Sequence, residues 1–241
     1  MKNVEIFPAG DQALVVEFGK NIDEETNDKV HALSDYLKEH HIKGIRETLP
    51  TYRSLMVFYD SSEVDFFKLS KVIWHYKPFK NKNDKKIRRK LLVPCCYGGN
   101  YGPDLKEMSN ILGMGQEEII RIHEKADYKI YMLGFLPGFV YLGGLDEKIS
   151  VPRLDTPRIS IPARSVGIGG NQTGVYPISS PGGWRLIGST PLDFYNPKNE
   201  PPILCSAGEY IGFVSINETE YDAIRNDIAS GAFRPECFIS D

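Results

Sequence analysis

The sequence predicts an α+β protein in two parts: a small sandwich of two helices on one sheet, then a larger domain of short strands. Three observations lead there. Up to Tyr76 the apolar residues switch between period two and helical spacing, so strand and helix alternate. From Lys80 to Lys90 the chain reads KNKNDKKIRRK, a charged run without hydrophobic pattern. Beyond it, short apolar runs are cut repeatedly by Gly and Pro, as in a barrel or sandwich. The boundary falls inside the basic run and gives domains of 1–85 and 86–241.

Leu14, Val16 and Phe18 alternate within 13–18, a strand with one apolar face. The stretch from Asn21 to Glu24 offers capping side chains and early acidic charge, and Val30, Leu33 and Leu37 follow at helical spacing. His40, His41 and Gly44 mark the end of that helix. Residues 51–59 are rich in β-formers, with Leu55, Val57 and Tyr59 on one face, and read as a strand or strand pair. Ser62 with Asp65 resembles a capping box for a second helix reaching about Tyr76. In the second part, 91–93 is apolar and Pro103 sits where a first helical residue would. Leu105, Met108 and Leu112 predict a short helix, and 116–126 another, with Gly113 and Gly115 between them. Strand-like runs follow at 128–133, 160–162, 166–169, 184–187, 203–205 and 210–216, and Tyr221, Ile224 and Ile228 predict a last helix over 218–231.

Among 241 residues, 41% are hydrophobic and 25% charged, the balance of an ordinary globular protein. A net charge of -3 gives no global attraction to nucleic acid. The basic run has no aromatic residue after Phe79 and is interrupted by Asp84, so it reads as a solvated linker. No apolar run is long enough to span a bilayer, and MKNVEIFPAGDQ lacks the apolar stretch of a signal peptide, so a cytoplasmic location is expected. Cys95, Cys96, Cys205 and Cys237 form no CxxC pair, which suits a reduced compartment with buried thiols.

Several catalytic signatures are missing. There is no P-loop, HExxH or GxSxG, and the glycines of 167–174 fail the dinucleotide pattern because Gln172 stands at its last position. No metal set is expected. The chemistry instead concentrates between Gly134 and Tyr195. Arg153, Arg158, Arg164 and Arg185 can hold carboxylate or phosphate through forked hydrogen bonds. Gln172 and Ser180 supply neutral donors and acceptors, and Gly169 and Gly170 allow bare backbone N–H groups to approach a ligand. Tyr141, Tyr176 and Trp184 add flat apolar walls. The residues chosen for catalytic contact are Arg158, Gln172 and Tyr176, and for substrate binding Ser180, Gly169, Gly170 and Arg153. Such a lining suits a small anionic amide or a phosphorylated intermediate. The competing reading is that the glycines and prolines only turn corners and the arginines are ordinary surface charges.

The runs GFLPGFVYLGGL, PRLDTPR and SVGIGGNQTGVYPISSPGGWRLIGSTP closely resemble the family of 5-oxoprolinase B subunits, also called allophanate hydrolase subunit 1 or the Kip-type sporulation kinase inhibitors. Gly10-Asp11-Gln12-Ala13-Leu14, Cys96-Tyr97-Gly98-Gly99 and Tyr101-Gly102-Pro103-Asp104-Leu105 carry the resemblance to nearly the whole chain. It implies a ferredoxin-like N-terminal domain and a cyclophilin-like C-terminal β-barrel. It also implies that the 5-oxoprolinase C subunit is a direct partner. With the A subunit as third member, the implied complex opens 5-oxoproline to glutamate and is driven by ATP, which belongs to the complex rather than to one identified chain. For Kip-type members the resemblance implies inhibition of a sensor histidine kinase, for which Phe135, Leu136, Phe139 and Tyr141 are the expected apolar patch. Three positions depart from the family pattern: Arg164 stands where Gly is expected, Ser189 where Arg is, and Asn100 where Glu is.

Overall fold

The computed structural model describes residues 4–20, 22–76 and 88–240, so the basic run up to residue 87 lies outside it. The chain divides into two compact units, Met1–Lys85 and Lys86–Asp241. In the first, β1 (Glu5–Pro8), β2 (Ala13–Glu17), β3 (Ile45–Pro50) and β4 (Ser54–Tyr59) form an antiparallel sheet in the order β1-β2-β4-β3. Helix α1 (Glu24–Glu39) joins β2 to β3, and α2 (Phe66–His75) follows β4. The run β2-α1-β3-β4-α2 is ferredoxin-like, with β1 on the edge beside β2. Leu55, Val57 and Tyr59 point inward at every second position of β4 and pack with Val30, Leu33 and Leu37 of α1 and Leu69 and Ile73 of α2. Asp23 caps α1 by accepting the Thr26 N–H at 2.8 Å. The α2 cap is Asp65, which accepts the Lys68 N–H at 2.8 Å; Ser62 is instead bonded to Asp60, so the expected capping box does not form.

The second unit contains β5 (Arg88–Tyr97), β6 (Tyr128–Leu133), β7 (Val140–Gly143), β8 (Arg158–Ile161), β9 (Ser165–Gly169), β10 (Gln172–Val175), β11 (Ser180–Gly182), β12 (Arg185–Ser189), β13 (Tyr210–Ser215) and β14 (Cys237–Ser240). Seven of them close a barrel in the order β5-β12-β9-β10-β7-β6-β13, the ring sealed by Gly188 opposite Tyr97 and by the parallel pair β13–β5. Strand β14 adds to β5, while β8 and β11 make a separate two-stranded ribbon. One edge of β5 serves β14 through 88–91 and β12 through Cys96 and Tyr97. Pro94 stands between those two stretches, where its missing N–H removes no ladder bond. Helices α3 (Leu105–Leu112), α4 (Gln116–Lys125) and α5 (Glu218–Ser230) complete the unit.

Some expectations need correction. Residues 203–205 form only a single bridge, Ile203 to Tyr195. Pro103 precedes the N-cap Asp104 rather than opening α3. Cys95, Cys96 and Cys205 are buried, but Cys237 is exposed.

His123 of α4 is fully enclosed, stacked on Phe213 and hydrogen-bonded to the Tyr97 hydroxyl at 2.8 Å and the Thr173 hydroxyl at 2.9 Å. Burial lowers its pKa to about 3. The unfolded chain binds this proton below about pH 6.5, and the folded chain refuses it until about pH 3. The neutral histidine therefore contributes its full stability above pH 6.5, and that contribution is lost as pH falls across this window. Denaturant midpoints measured from pH 7 to 4 should fall with pH, and His123→Asn should lower the pH 7 value yet flatten the slope. An unchanged slope in the variant would assign the acid sensitivity elsewhere.

Candidate functional site

Strands β9 and β10 form a hairpin in which Gly174 faces Gly167 and Gln172 faces Gly169. Alternation along the two strands sends Val166, Ile168, Thr173 and Val175 to one face and Gly167, Gly169, Gln172 and Gly174 to the other. The first set includes core residues of the barrel. On the second face three glycines leave bare backbone, and the Trp184 indole lies on it. A Cβ at Gly174 would sit 2.9 Å from Trp184 Cζ3, and one at Gly169 would overlap the indole. Around Trp184 gather Phe139, Tyr176, Ile161 and Leu186, a buried cluster separate from the barrel core, with Tyr141 packed against it. The Phe139 ring meets Tyr176 edge-on at 5.2 Å and Trp184 at 5.6 Å, a favourable aromatic arrangement.

Two cations border this aromatic wall. The Arg153 guanidinium lies 5.8 Å from the Trp184 ring centroid, within cation–π range. Arg158, the first residue of β8, pairs with Gly182 of β11, and its Nη2 donates to Asp104 Oδ1 at 2.6 Å. Gly182 has no side chain, and a Cβ there would come within 2.6 Å of the Tyr176 hydroxyl. Burial raises the Tyr176 pKa, opposed by a hydrogen bond from the Trp184 main chain and by the positive charges of Arg153 and Arg158. The phenol is therefore a neutral donor at pH 7. Ser180 of β11 faces Ile161, is 7% exposed, and its Oγ has no hydrogen-bond partner among the described residues.

The fold thus brings Arg153, Arg158 and Tyr176 around Trp184, sets Ser180 on the adjoining ribbon, and puts Gln172 on the hairpin face that carries the indole. Gly170 is a correction: its N–H donates to the Val151 carbonyl at 2.7 Å, so it offers no free donor. Gly169 is required by the indole packed over it. Arg185 fastens the 151–154 segment, its Nε donating to the Pro152 carbonyl at 3.1 Å. Arg164 is engaged with Asp193 at 3.3 Å and has φ of 72°, a left-handed conformation that explains why glycine is the expected residue there. Phe139 is 2% exposed, so the apolar patch expected around it is reduced, with Phe135 its exposed member at 64%. Sequence reasoning missed Asp104 as a site residue. Its signal is an aspartate at a helix N-cap that makes no cap bond.

The described residues do not supply an evident nucleophile. Burial pushes the Cys95 thiol up and takes Cys205 to about 12. Among the described residues, no group of three or more His, Cys, Asp or Glu is placed to hold a metal, and no helix is long and apolar enough to cross a membrane. With Phe139, Tyr176 and Trp184 buried, the groups that the arrangement offers a small anion are the cations at its border.

Residues 4–205 match the family model of the carboxyltransferase domain, subdomain C and D. The B subunit of 5-oxoprolinase from Bacillus subtilis (strain 168) is 43% identical over 228 residues, 90% of this chain and 95% of the relative. Among solved structures, TTHA0988 superposes with a TM-score of 0.76 at 30% identity, over 89% of this chain and 40% of that longer chain. The urea carboxylase of Kluyveromyces lactis shares the fold, with a TM-score of 0.81 at 20% identity over 98% of this chain and 24% of its own.

The glycine floor is testable by itself. Gly169→Ala in a Trp74→Phe background should shift Trp184 fluorescence and destabilise the protein by roughly 1–3 kcal/mol, the usual cost of overpacking. An unaltered spectrum and melting point would mean the indole does not need that glycine.

Proposed function

The chain belongs to the family of 5-oxoprolinase B subunits, and we propose that it works with the A and C subunits in an ATP-dependent complex that opens 5-oxo-L-proline to L-glutamate. The observation that carries this reading is the aromatic wall of Trp184, Tyr176 and Phe139 bordered by Arg153 and Arg158. The carboxylate of a lactam acid suits an arginine, and the buried rings behind Arg153 and Arg158 back those cations. In this reading Tyr176 and Gln172 supply neutral hydrogen-bonding groups for the ring amide. Charge that builds on the amide oxygen during ring opening would be stabilised by such fixed donors.

The chain supplies binding and orientation, and its partners complete the chemistry. Residues 167–174 form the β9–β10 hairpin, with the Gly170 N–H already bonded. In the 98–105 loop before α3, the N–H groups of Gly98, Tyr101, Gly102, Asp104 and Leu105 all bond to protein carbonyls. ATP, at the level of the complex, supplies the driving force for opening the ring. The C subunit is the expected direct partner.

Co-expression with the A and C subunits should give ATP-dependent glutamate release from 5-oxoproline. The double variant Arg158→Ala, Gln172→Ala should lose most of it, and release at the wild-type rate would remove both residues from the site.

A further inference from the structure

Asp104 stands at the N-cap of α3, where an aspartate ordinarily accepts a hydrogen bond from the first helical turn. Here it makes none. Both its oxygens are directed across the fold instead. Oδ2 accepts the Leu186 N–H at 2.6 Å, and Oδ1 accepts Arg158 Nη2 at 2.6 Å. The Asp104 N–H in turn donates to the Leu186 carbonyl at 3.0 Å, so the residue grips β12 by main chain and side chain together. The loop carrying it is held on the same strand: the Gly98 N–H donates to the Ile187 carbonyl at 3.0 Å, and a Cβ at Gly102 would overlap that carbonyl. Asp104 is 5% exposed and has no freedom to turn away.

Arg158 is held at one nitrogen by this rigid acceptor. Its other terminal nitrogen, Nη1, is shielded from solvent and has no hydrogen-bond partner among the described residues. A guanidinium offers paired donors that suit a carboxylate, and a sealed unpaired donor is costly unless something fills it. The neighbouring ribbon residue Ser180 repeats the pattern, with a buried Oγ that also has no partner among the described residues. The β8–β11 ribbon that carries both residues forms no ladder with the barrel sheet. A small ligand can therefore be admitted without breaking the barrel.

We infer that Asp104 is a positioning residue that presents Arg158 to the carboxylate of the substrate, so that the pair selects lactam acids over neutral lactams. This rests on the 5-oxoprolinase reading given above. Asp104 itself touches no substrate. Its carboxylate fixes the plane of the guanidinium, and Nη1 is the donor left for the ligand.

The test compares 5-oxoproline with 2-pyrrolidinone, the same ring without the carboxylate, on the full chain assembled with the A and C subunits. Direct binding is measured by calorimetry and turnover by ATP-dependent ring opening. The wild-type complex should bind the acid better than the neutral lactam. Asp104→Asn should cut that preference roughly tenfold or more, through KM rather than kcat, with affinity for 2-pyrrolidinone unchanged. Asp104→Asn weakening both ligands in equal proportion, or leaving the preference intact, would overturn the inference. Should Asp104→Asn fail to fold, Arg158→Gln with Asp104 retained is the second variant, and a preference that survives in it also overturns the inference. A wild-type complex that turns over 5-oxoproline with unaltered selectivity in the variants sinks the Asp104 role alone. A complex that never opens 5-oxoproline sinks the functional reading, and the binding preference then decides the Asp104 role by itself.

Discussion

An indole can lie flat on a β-sheet only where the strands beneath it present no side chains. Gly167, Gly169 and Gly174 meet that condition on the β9–β10 hairpin, and Trp184 takes the place their side chains would fill. Once Trp184 is down, Phe139 and Tyr176 have a surface to meet edge-on, and Arg153 has a ring face to sit over. A second buried cluster thereby forms on the hairpin face opposite the barrel core, and the two cores share one pair of strands. Phe139, Tyr176 and Trp184 each stand immediately beside a strand end, of β7, β10 and β12 in turn, which fixes where their rings meet.

The chemistry of that wall is one-sided. It carries positive charge, a neutral phenol and aromatic faces, and the buried thiols of the same unit are held in the unreactive form. Such a composition suits recognition of an anion and stabilisation of developing charge. The Bacillus subtilis relative is named as one subunit of 5-oxoprolinase. Arg164 tolerates a backbone conformation meant for glycine, while its side chain shares Asp193 with Arg225.

Much of the fold was legible because burial wrote it into periodicity. Leu55, Val57 and Tyr59, or Val30, Leu33 and Leu37, face one core, and their spacing says so. Two of the unread strands, β10 and β3, lack that contrast. In β10 the outward positions include Gln172 and Gly174 and the inward ones include Thr173, so no apolar alternation appears although the strand is real. In β3 the single buried residue is Thr48. The site was legible in residue type, since Arg, Tyr and Trp announced a polar aromatic lining. It was not legible in hydrogen bonding. Nothing in the sequence separates Gly169, which lies under an indole, from Gly170, whose N–H is tied to Val151. Asp104 escaped for the same reason: a capping residue and a clamp are spelled alike, and only the partner distinguishes them.

Strand β5 has ladders on both edges, and residues 237–240 occupy the part of one edge that β12 does not reach. Without that strand, the amide and carbonyl groups of Lys90 and Leu92 would face outward, ready to pair with any extended chain they met. The short strand β14 thus shields the molecule from self-association, a role independent of the binding wall and one that trimming those residues would expose as turbidity.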